Sequence, residues 1–239
     1  MGLDKSVLIT RTITAVLYVA VMLIGLLTHK FAFIFLCTLI AIGCVFELWR
    51  LAKKQSAYNS TALGIIAILF IILSLSLYLL TGFQQQSIGE NLEKYFSVIP
   101  CCIIFSIWIN DTMAYIVGSL IGKTPLSKIS PKKTVEGTAG GAVLAVLIIG
   151  FLFQYLAFDK TALPPIFNGN SFFNIGFGSI ALVAAVFGTL GDLVESKLKR
   201  MANVKDSGSF MPGHGGFLDR FDSLLLAGPV CYLLLQVLR

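Results

Sequence analysis

Acidic and basic side chains concentrate in one polar stretch of the sequence, residues 192–222. Five of the twelve carboxylates lie in this stretch, namely Asp192, Glu195, Asp206, Asp219 and Asp222. It also holds the basic side chains Lys197, Lys199, Arg200, Lys205, His214 and Arg220. Carboxylates bind metal ions and basic groups bind phosphate oxygens, so this mixture favours chemistry on a phosphate-bearing substrate. The alternative is a hydrated loop whose charges only follow membrane topology.

Helical spacing divides the stretch into two faces. If the apolar helix before it continues past the membrane surface, one face carries Asp192, Glu195, Ser196 and Lys199. If the helix after it begins near Phe217, its first turns carry Asp219, Asp222 and Ser223. We therefore expect two helix ends to converge on one site.

Between the two faces lies a glycine-rich turn, residues 212–216. Its glycines allow backbone N–H groups to approach an anion, and we expect His214 to donate to a phosphate. Carboxylates without a histidine or thiolate cluster suit Mg²⁺, with Mn²⁺ as a second choice. For Asp219 and Asp222, a carboxylate at the mouth of an apolar span costs about 2–3 kcal/mol unless it is paired or liganded. Pairing with Arg220 is the purely structural alternative.

A second polar group begins inside an apolar run, at Asn110 and Asp111. An ionisable residue inside a membrane span is by default a functional candidate, and the alternative is hydrogen bonding between helices. The small residues Ala114, Gly118 and Gly122 follow at a spacing of four, which favours close helix packing.

The segment from Gly118 to Thr124 resembles a phosphate-binding P-loop but is one residue too short. It also follows a membrane helix where the motif needs a strand, so we reject that interpretation. Lys132 and Lys133, further along the same basic loop, are better candidates for contacts with phosphate oxygens.

The elements that position these residues are membrane spans. The 239 residues are 56% hydrophobic and 13% charged, with a mean hydropathy of +0.87, too apolar for a water-soluble domain. Apolar runs predict seven spans near residues 12–28, 31–49, 60–82, 96–117, 137–157, 172–190 and 217–238. We expect an all-α, polytopic transmembrane helical bundle of about seven spans, within a range of six to nine.

Basic residues set the orientation. With the N-terminus in the cytoplasm, fourteen of the eighteen Lys and Arg residues fall on the inner side and four on the outer side. The net charge of +6 therefore follows membrane topology and does not indicate nucleic acid. The polar loops then face the cytoplasm, and the first span is expected to remain as an anchor.

Other polar and sulfur-containing residues receive structural interpretations. Glu47, at the end of the second span, is interpreted as an interfacial anchor paired with a nearby cation and without a catalytic role. The five cysteines lie in apolar runs without metal-ligand spacing and are expected to pack as small hydrophobic residues. We expect one integral membrane domain, 1–239, with N-terminal spans in 1–95 and the catalytic region in 96–239.

Two sequence blocks resemble the phosphatidate cytidylyltransferase family. The longer block carries Ser196, Leu198, Lys199, Arg200, Lys205, Asp206, Gly208, Pro212, His214, Gly215, Gly216, Asp219, Arg220, Asp222 and Ser223. The upstream block carries Asn110, Asp111, Thr112, Gly118, Gly122, Lys123, Ser130, Pro131, Lys132, Lys133, Thr134, Glu136 and Gly137. Met211 replaces the usual Leu or Ile, a swap of similar volume that should matter little. The resemblance covers roughly residues 108–223.

The resemblance implies a membrane enzyme of phospholipid biosynthesis, a homodimer, that condenses CTP with phosphatidic acid to give CDP-diacylglycerol and pyrophosphate. It implies that Asp192 and Asp219 bind the metal, with Asp222 and Ser223 close by, and that a monovalent cation such as K⁺ shares the site. The basic and glycine residues would then hold the nucleotide and lipid phosphates, and the other substrate-binding residues would be Asn110, Asp111, Ser130, Thr134 and Ser223. A bacterial inner membrane is the expected location, with the active site facing the cytoplasm.

Three alternatives remain open. A CTP-dependent kinase of a polyprenol would use similar residues but release CDP. A transporter would use Asp111 and the basic loops as an ion path, although charge bunched at one membrane face and the lack of an internal repeat count against it. A non-catalytic scaffold leaves the mixed acidic and basic cluster without a purpose.

Overall fold

The computed structural model describes residues 5–54, 60–83, 97–156, 165–167, 173–208, 210 and 215–238. Within these ranges the chain forms seven α-helices and one short 3₁₀ turn, Pro165–Phe167. The helices are α1 (Lys5–Leu27), α2 (Lys30–Lys54), α3 (Ser60–Leu80), α4 (Val98–Ile121), α5 (Val135–Leu156), α6 (Ile175–Met201) and α7 (Leu218–Val237).

Each of the seven predicted spans corresponds to one of these helices, so the all-α membrane class is confirmed. Five helices are long and apolar enough to cross a membrane: α2, α4, α5, α6 and α7. The apolar parts of α1 and α3, Thr12–Leu27 and Gly64–Leu80, are shorter. The chain is therefore an integral membrane protein built from helices.

The largest difference from the predicted spans is at the end of α6. The apolar run ends near residue 190, whereas the helix continues to Met201. Its last turns carry Asp192 and Lys199, so the condition under which these two residues share a helix face is met. Lys199 and Arg200 lie in the last turn, where cations interact favourably with the helix dipole.

Contacts divide the chain into two compact units. Unit 1 comprises Met1–Leu73 and Lys197–Asp222, and unit 2 comprises Ser74–Ser196 and Ser223–Arg239. The boundaries fall within α3, α6 and α7. The expectation of a single domain with a catalytic region in 96–239 stays a prediction.

In unit 1, α1 packs on α2 through Gly25, where an added Cβ would lie 2.6 Å from a methyl carbon of Leu36. Gly43 of α2 similarly accommodates the ring of Phe217. Tyr18 of α1 and Phe221 of α7 bring their rings within 6.0 Å. These contacts hold the first turn of α7 against the N-terminal helices.

In unit 2, α4 and α5 approach closely through glycines. An added Cβ at Gly137 would lie 2.6 Å from the Ala114 carbonyl oxygen and 2.8 Å from the Cα of Gly118. An added Cβ at Gly141 would lie 2.8 Å from the Ala114 Cβ. The small-residue spacing predicted from Ala114, Gly118 and Gly122 is thus a packing surface, as expected.

All five cysteines are buried and free, which confirms their interpretation as packing residues. They share an apolar environment within the helices Lys30–Lys54, Val98–Ile121 and Leu218–Val237.

Candidate active site

Unit 2 contains a cluster of charged side chains that we call the Asp192 cluster, made of Asp111, Lys133 and Asp192. The Lys133 Nζ lies 2.7 Å from the Asp192 Oδ2. Asp111 interacts electrostatically with both Lys133 and Asp192. Its neighbour in sequence, Asn110, is only 2% exposed. Four residues predicted for the site, from α4, α6 and the basic loop, are therefore brought together.

The loop between α4 and α5 positions Lys133 through backbone hydrogen bonds. Leu126 N–H donates to the Lys133 carbonyl at 2.7 Å, and Val135 N–H donates to the Thr124 carbonyl at 2.9 Å. Thr134 then caps α5, because its Oγ1 accepts from the Gly137 N–H at 3.1 Å. Thr134 was predicted to bind substrate, and the structure shows it as a helix cap.

The same loop shows why the segment from Gly118 to Thr124 does not act as a P-loop. Gly118 lies inside α4, and the Thr124 N–H donates to the Glu136 carboxylate of α5 at 3.1 Å. Lys123 N–H and Thr124 Oγ1 donate to the same carboxylate at 3.1 and 2.8 Å. The backbone donors that a P-loop presents to phosphate are here used by Glu136, so the rejection of that motif is sound.

Unit 1 contains a second group, which we call the Asp219 cluster, made of Lys199, Ser207, Gly216 and Asp219. The Lys199 Nζ lies 2.7 Å from the Asp219 Oδ1. The Asp219 Oδ2 accepts from the Gly216 N–H at 2.8 Å and from the Ser207 N–H at 3.0 Å, and the Ser207 Oγ lies 3.0 Å away. Asp219 thus connects the end of α6, the loop after it and the start of α7.

Glu47 joins this cluster from α2, which corrects its interpretation from sequence. Its Oε2 accepts from the Ser207 Oγ at 2.6 Å and from the Leu218 N–H at 2.9 Å. Among the described residues no cation pairs with it, so the expected ion pair is wrong for that part of the chain. The expectation failed because Glu47 is buried, only 4% exposed, and lies against backbone and hydroxyl donors.

Three glycines shape the backbone around these carboxylates. Gly215 has a φ of 83°, in the left-handed region, and an added Cβ would lie 2.6 Å from the Asp219 Oδ2. At Gly208 and Gly216 an added Cβ would overlap the Glu47 carboxylate. The glycine-rich turn was predicted to approach an anion, and in the described part of it the anions approached are the protein's own carboxylates.

The remaining predicted residues have varied surroundings. Lys132, Arg200, Lys205 and Arg220 are exposed, and Ser130 is half-buried. Asp222 and Ser223 are buried, at 8% and 5% exposure, on the first turns of α7. His214 lies outside the described residues. Asp192 and Asp219 belong to different units, and their convergence on one site stays a prediction.

Metal binding was predicted from these carboxylates. The described residues contain no group of three or more His, Cys, Asp or Glu side chains that could hold a metal ion. Mg²⁺ typically uses one or two carboxylates and fills its shell with water and phosphate oxygens. Asp192 fits that requirement, since it is 26% exposed and faces a cation, Lys133, that a metal could replace. Asp219 fits only if Lys199 leaves, because its oxygens already accept from Lys199, Ser207 and Gly216.

A model of the cytidylyltransferase family matches residues 77–238 of this chain. The match covers more than half of the sequence and includes both Lys–Asp pairs. The chain belongs to the cytidylyltransferase family.

Curated relatives narrow the likeness further. The chain is 46% identical over 151 residues to the phosphatidate cytidylyltransferase of Bacillus subtilis (strain 168), covering 62% of this chain and 51% of that protein. It is 33% identical over 198 residues to the phosphatidate cytidylyltransferase of Thermotoga maritima, covering 82% of this chain and 67% of that protein. A third relative of the same name, from Aquifex aeolicus (strain VF5), is 35% identical over 211 residues, covering 88% and 69%. The chain spans about half of the first relative and about two thirds of the other two.

Proposed function

We propose that this protein is a CTP:phosphatidate cytidylyltransferase, which condenses CTP with phosphatidate to give CDP-diacylglycerol and pyrophosphate. The observation that carries the proposal is the family match over residues 77–238, which contains the Lys133–Asp192 and Lys199–Asp219 pairs. The relatives named phosphatidate cytidylyltransferase supply the substrate class.

In the proposed reaction a phosphate oxygen of phosphatidate attacks the α-phosphorus of CTP. The new bond joins that oxygen to the α-phosphorus, and the bond from the α-phosphorus to the bridging oxygen breaks, releasing pyrophosphate. Transfer of this kind depends mainly on positioning and on neutralising charge. A site of ammonium groups and carboxylates supplies both without a covalent enzyme intermediate.

The basic residues would bind the phosphate groups. Lys133 and Lys199 are each held at 2.7 Å from a carboxylate, so their ammonium groups are oriented before substrate arrives. The exposed side chains of Lys132, Arg200, Lys205 and Arg220, on loops and at helix ends, would contact phosphate oxygens. The Oδ1 of Asn110, buried without a hydrogen-bond partner among the described residues, offers an acceptor beside the Asp192 cluster.

Mg²⁺ is the proposed cofactor, with Asp192 and Asp219 as ligands, Asp222 close by, and K⁺ as a second cation. When bound, the divalent ion would neutralise charge on the transferring and departing phosphates. The fit is better at Asp192, which faces one cation, than at Asp219, which is surrounded by donors.

The proposal places the reaction at the cytoplasmic face of a bacterial inner membrane, in a homodimer. The distribution of Lys and Arg, fourteen against four, supports this orientation. CTP is a cytoplasmic nucleotide, so the basic loops must face that side for the reaction to proceed.

The test uses purified protein in detergent with α-labelled CTP, phosphatidate and Mg²⁺, with and without EDTA. We expect label in the lipid phase with an equal amount of pyrophosphate, both lost when EDTA is present. A parallel reaction with γ-labelled CTP and a polyprenol separates the kinase alternative, which would transfer the γ-label and release CDP. Folded protein that moves neither label would contradict the proposal.

A further inference from the structure

Glu47 is a buried acidic residue that lies outside the segment matched by the family. It sits on α2, is 4% exposed, and precedes residue 77, where the family match begins. A buried carboxylate is costly unless it is hydrogen-bonded or paired. The contacts of Glu47 therefore indicate what it does.

The first contact caps α7. The Leu218 N–H is one of the donors that the first turn of a helix leaves without an intrahelical partner, and it donates to the Glu47 Oε2 at 2.9 Å. Phe217, which precedes Leu218, has no side-chain acceptor that could cap the helix. Glu47 supplies this acceptor from a different helix, and its negative charge also suits the N-terminal end of the helix dipole.

The second contact reaches Asp219 through Ser207. The Ser207 Oγ lies 2.6 Å from the Glu47 Oε2 and 3.0 Å from the Asp219 Oδ2. A hydroxyl carries one proton, and the shorter contact assigns it to Glu47. The Ser207 N–H then serves Asp219, at 3.0 Å. Glu47 thus positions Ser207, and Ser207 in turn positions Asp219.

The backbone approaches the Glu47 carboxylate closely at two glycines. Gly208 and Gly216 lie so close to its carboxylate that a Cβ at either position would overlap it. Gly216 also donates its N–H to Asp219 at 2.8 Å. The described residues between Ser207 and Leu218 therefore contact two carboxylates, one from α2 and one from α7.

We propose that Glu47 is a positioning residue for cytidylyl transfer, which holds Ser207 and the first turn of α7 so that Asp219 stays aligned with Lys199. The inference rests on the proposed function and adds to it a residue from the N-terminal helices. Its role is indirect, since it acts on substrate only through Ser207, Leu218 and Asp219.

The experiment measures kcat and the KM for CTP in Glu47→Ala, Glu47→Gln, Ser207→Ala and the double variant Glu47→Gln/Ser207→Ala. Cys44→Ala is the matched control, because it removes a buried group from the same helix. Melting temperature and monodisperse elution in detergent report folding. Label transfer from α-labelled CTP to lipid reports activity.

We expect Glu47→Ala to lower kcat on the order of 10²-fold, as for a misplacement of about 1 Å, with little change in the KM for CTP. Glu47→Gln keeps an acceptor oxygen and should lose only about tenfold, a partial rescue. The kcat of the double variant should be no lower than the kcat of its less active parent variant, because both changes break the same connection. Cys44→Ala should retain full kcat.

Wild-type kcat in folded Glu47→Ala would overturn the inference, and so would multiplicative losses in the double variant. If Glu47→Ala does not fold, Glu47→Gln and Ser207→Ala decide, and wild-type kcat in either overturns it. Active wild-type protein with unaffected Glu47 variants refutes the positioning role alone. Folded wild-type protein without lipid label refutes the proposed function, and this inference with it.

Discussion

The two Lys–Asp pairs have the same length and different surroundings. Lys133 and Asp192 are 31% and 26% exposed, whereas Lys199 and Asp219 are 15% and 10% exposed, with both distances at 2.7 Å. Asp219 accepts further hydrogen bonds from Ser207 and Gly216. The contact shown for Asp192, besides its electrostatic interaction with Asp111, is Lys133.

This difference shows that acidic residues near helix ends can have two distinct roles. Asp192 is 26% exposed and faces one exchangeable cation with its buried Oδ2, which suits binding of a metal or substrate. Asp219 organises the backbone at the start of α7 as well as facing Lys199. We therefore expect variants of the two residues to differ in stability even where both lose activity.

The largest effect is expected for Asp219→Ala. It leaves the ammonium of Lys199 and the N–H groups of Ser207 and Gly216 without their acceptor, and breaking a mostly buried pair costs about 3 kcal/mol. Turnover should be lost together with this stability, measured by thermal unfolding in detergent and by label transfer. A variant as stable as wild type would show that the donors around Asp219 contribute little.

Asp192→Ala should lose turnover while remaining stable. Removing a group that stabilises the transferring charge typically costs about 10²-fold or more in rate. The partly exposed Lys133 can be hydrated, so the free energy of unfolding should change by less than about 1 kcal/mol. Equal losses of stability in the Asp192 and Asp219 variants would contradict the expected difference between the two pairs.

A smaller effect is expected from filling the close glycine contact between α4 and α5. Gly137→Ala places a Cβ against the backbone of Ala114 and Gly118 and should destabilise the protein by about 1–3 kcal/mol. Gly64→Ala is the control, since its nearest neighbour is the Ala52 Cβ at 3.8 Å. Chemical denaturation of both variants measures the difference, and equal stability would mean that α4 and α5 can separate without cost.

The smallest effect is expected for Glu136→Gln. The change weakens the charge-assisted hydrogen bonds to Lys123 and Thr124, and so loosens the loop that carries Lys133. We expect the KM for CTP to rise about two- to fivefold with kcat nearly unchanged. Steady-state kinetics across CTP concentrations provide the measurement. A fall in kcat with constant KM would place the loop in the chemical step instead.

The helices were predictable because membrane spans require long apolar runs, and such runs are visible in sequence. The end of α6 was harder, since its last turns are polar. Asp192, Glu195 and Lys199 have the spacing of one helix face if the helix continues past the apolar run, and the structure shows that it does. Helical spacing thus indicated an extension of α6 that hydropathy did not indicate.

Residue types in the site were predictable, whereas their pairing was not. Lys133 and Asp192 meet because backbone hydrogen bonds fold the loop after α4, a geometry that depends on contacts distant in sequence. Glu47 was misinterpreted although a signal was present. Asp111 was marked as functional because it is an ionisable residue inside a membrane span, and the predicted span 31–49 contains Glu47 in the same way.

The contact between Glu47 and Leu218 spans 171 residues of sequence, which has a consequence for biosynthesis. Ribosomes add about 5–20 residues per second, so Glu47 is synthesised roughly 10–30 s before the start of α7. During that interval the Glu47 carboxylate lacks both of the acceptor–donor contacts seen in the folded chain. Synthesis of α7 therefore supplies the hydrogen-bond donor that Glu47 lacks in the nascent chain. Chains stalled before this step should be preferred substrates for membrane proteases.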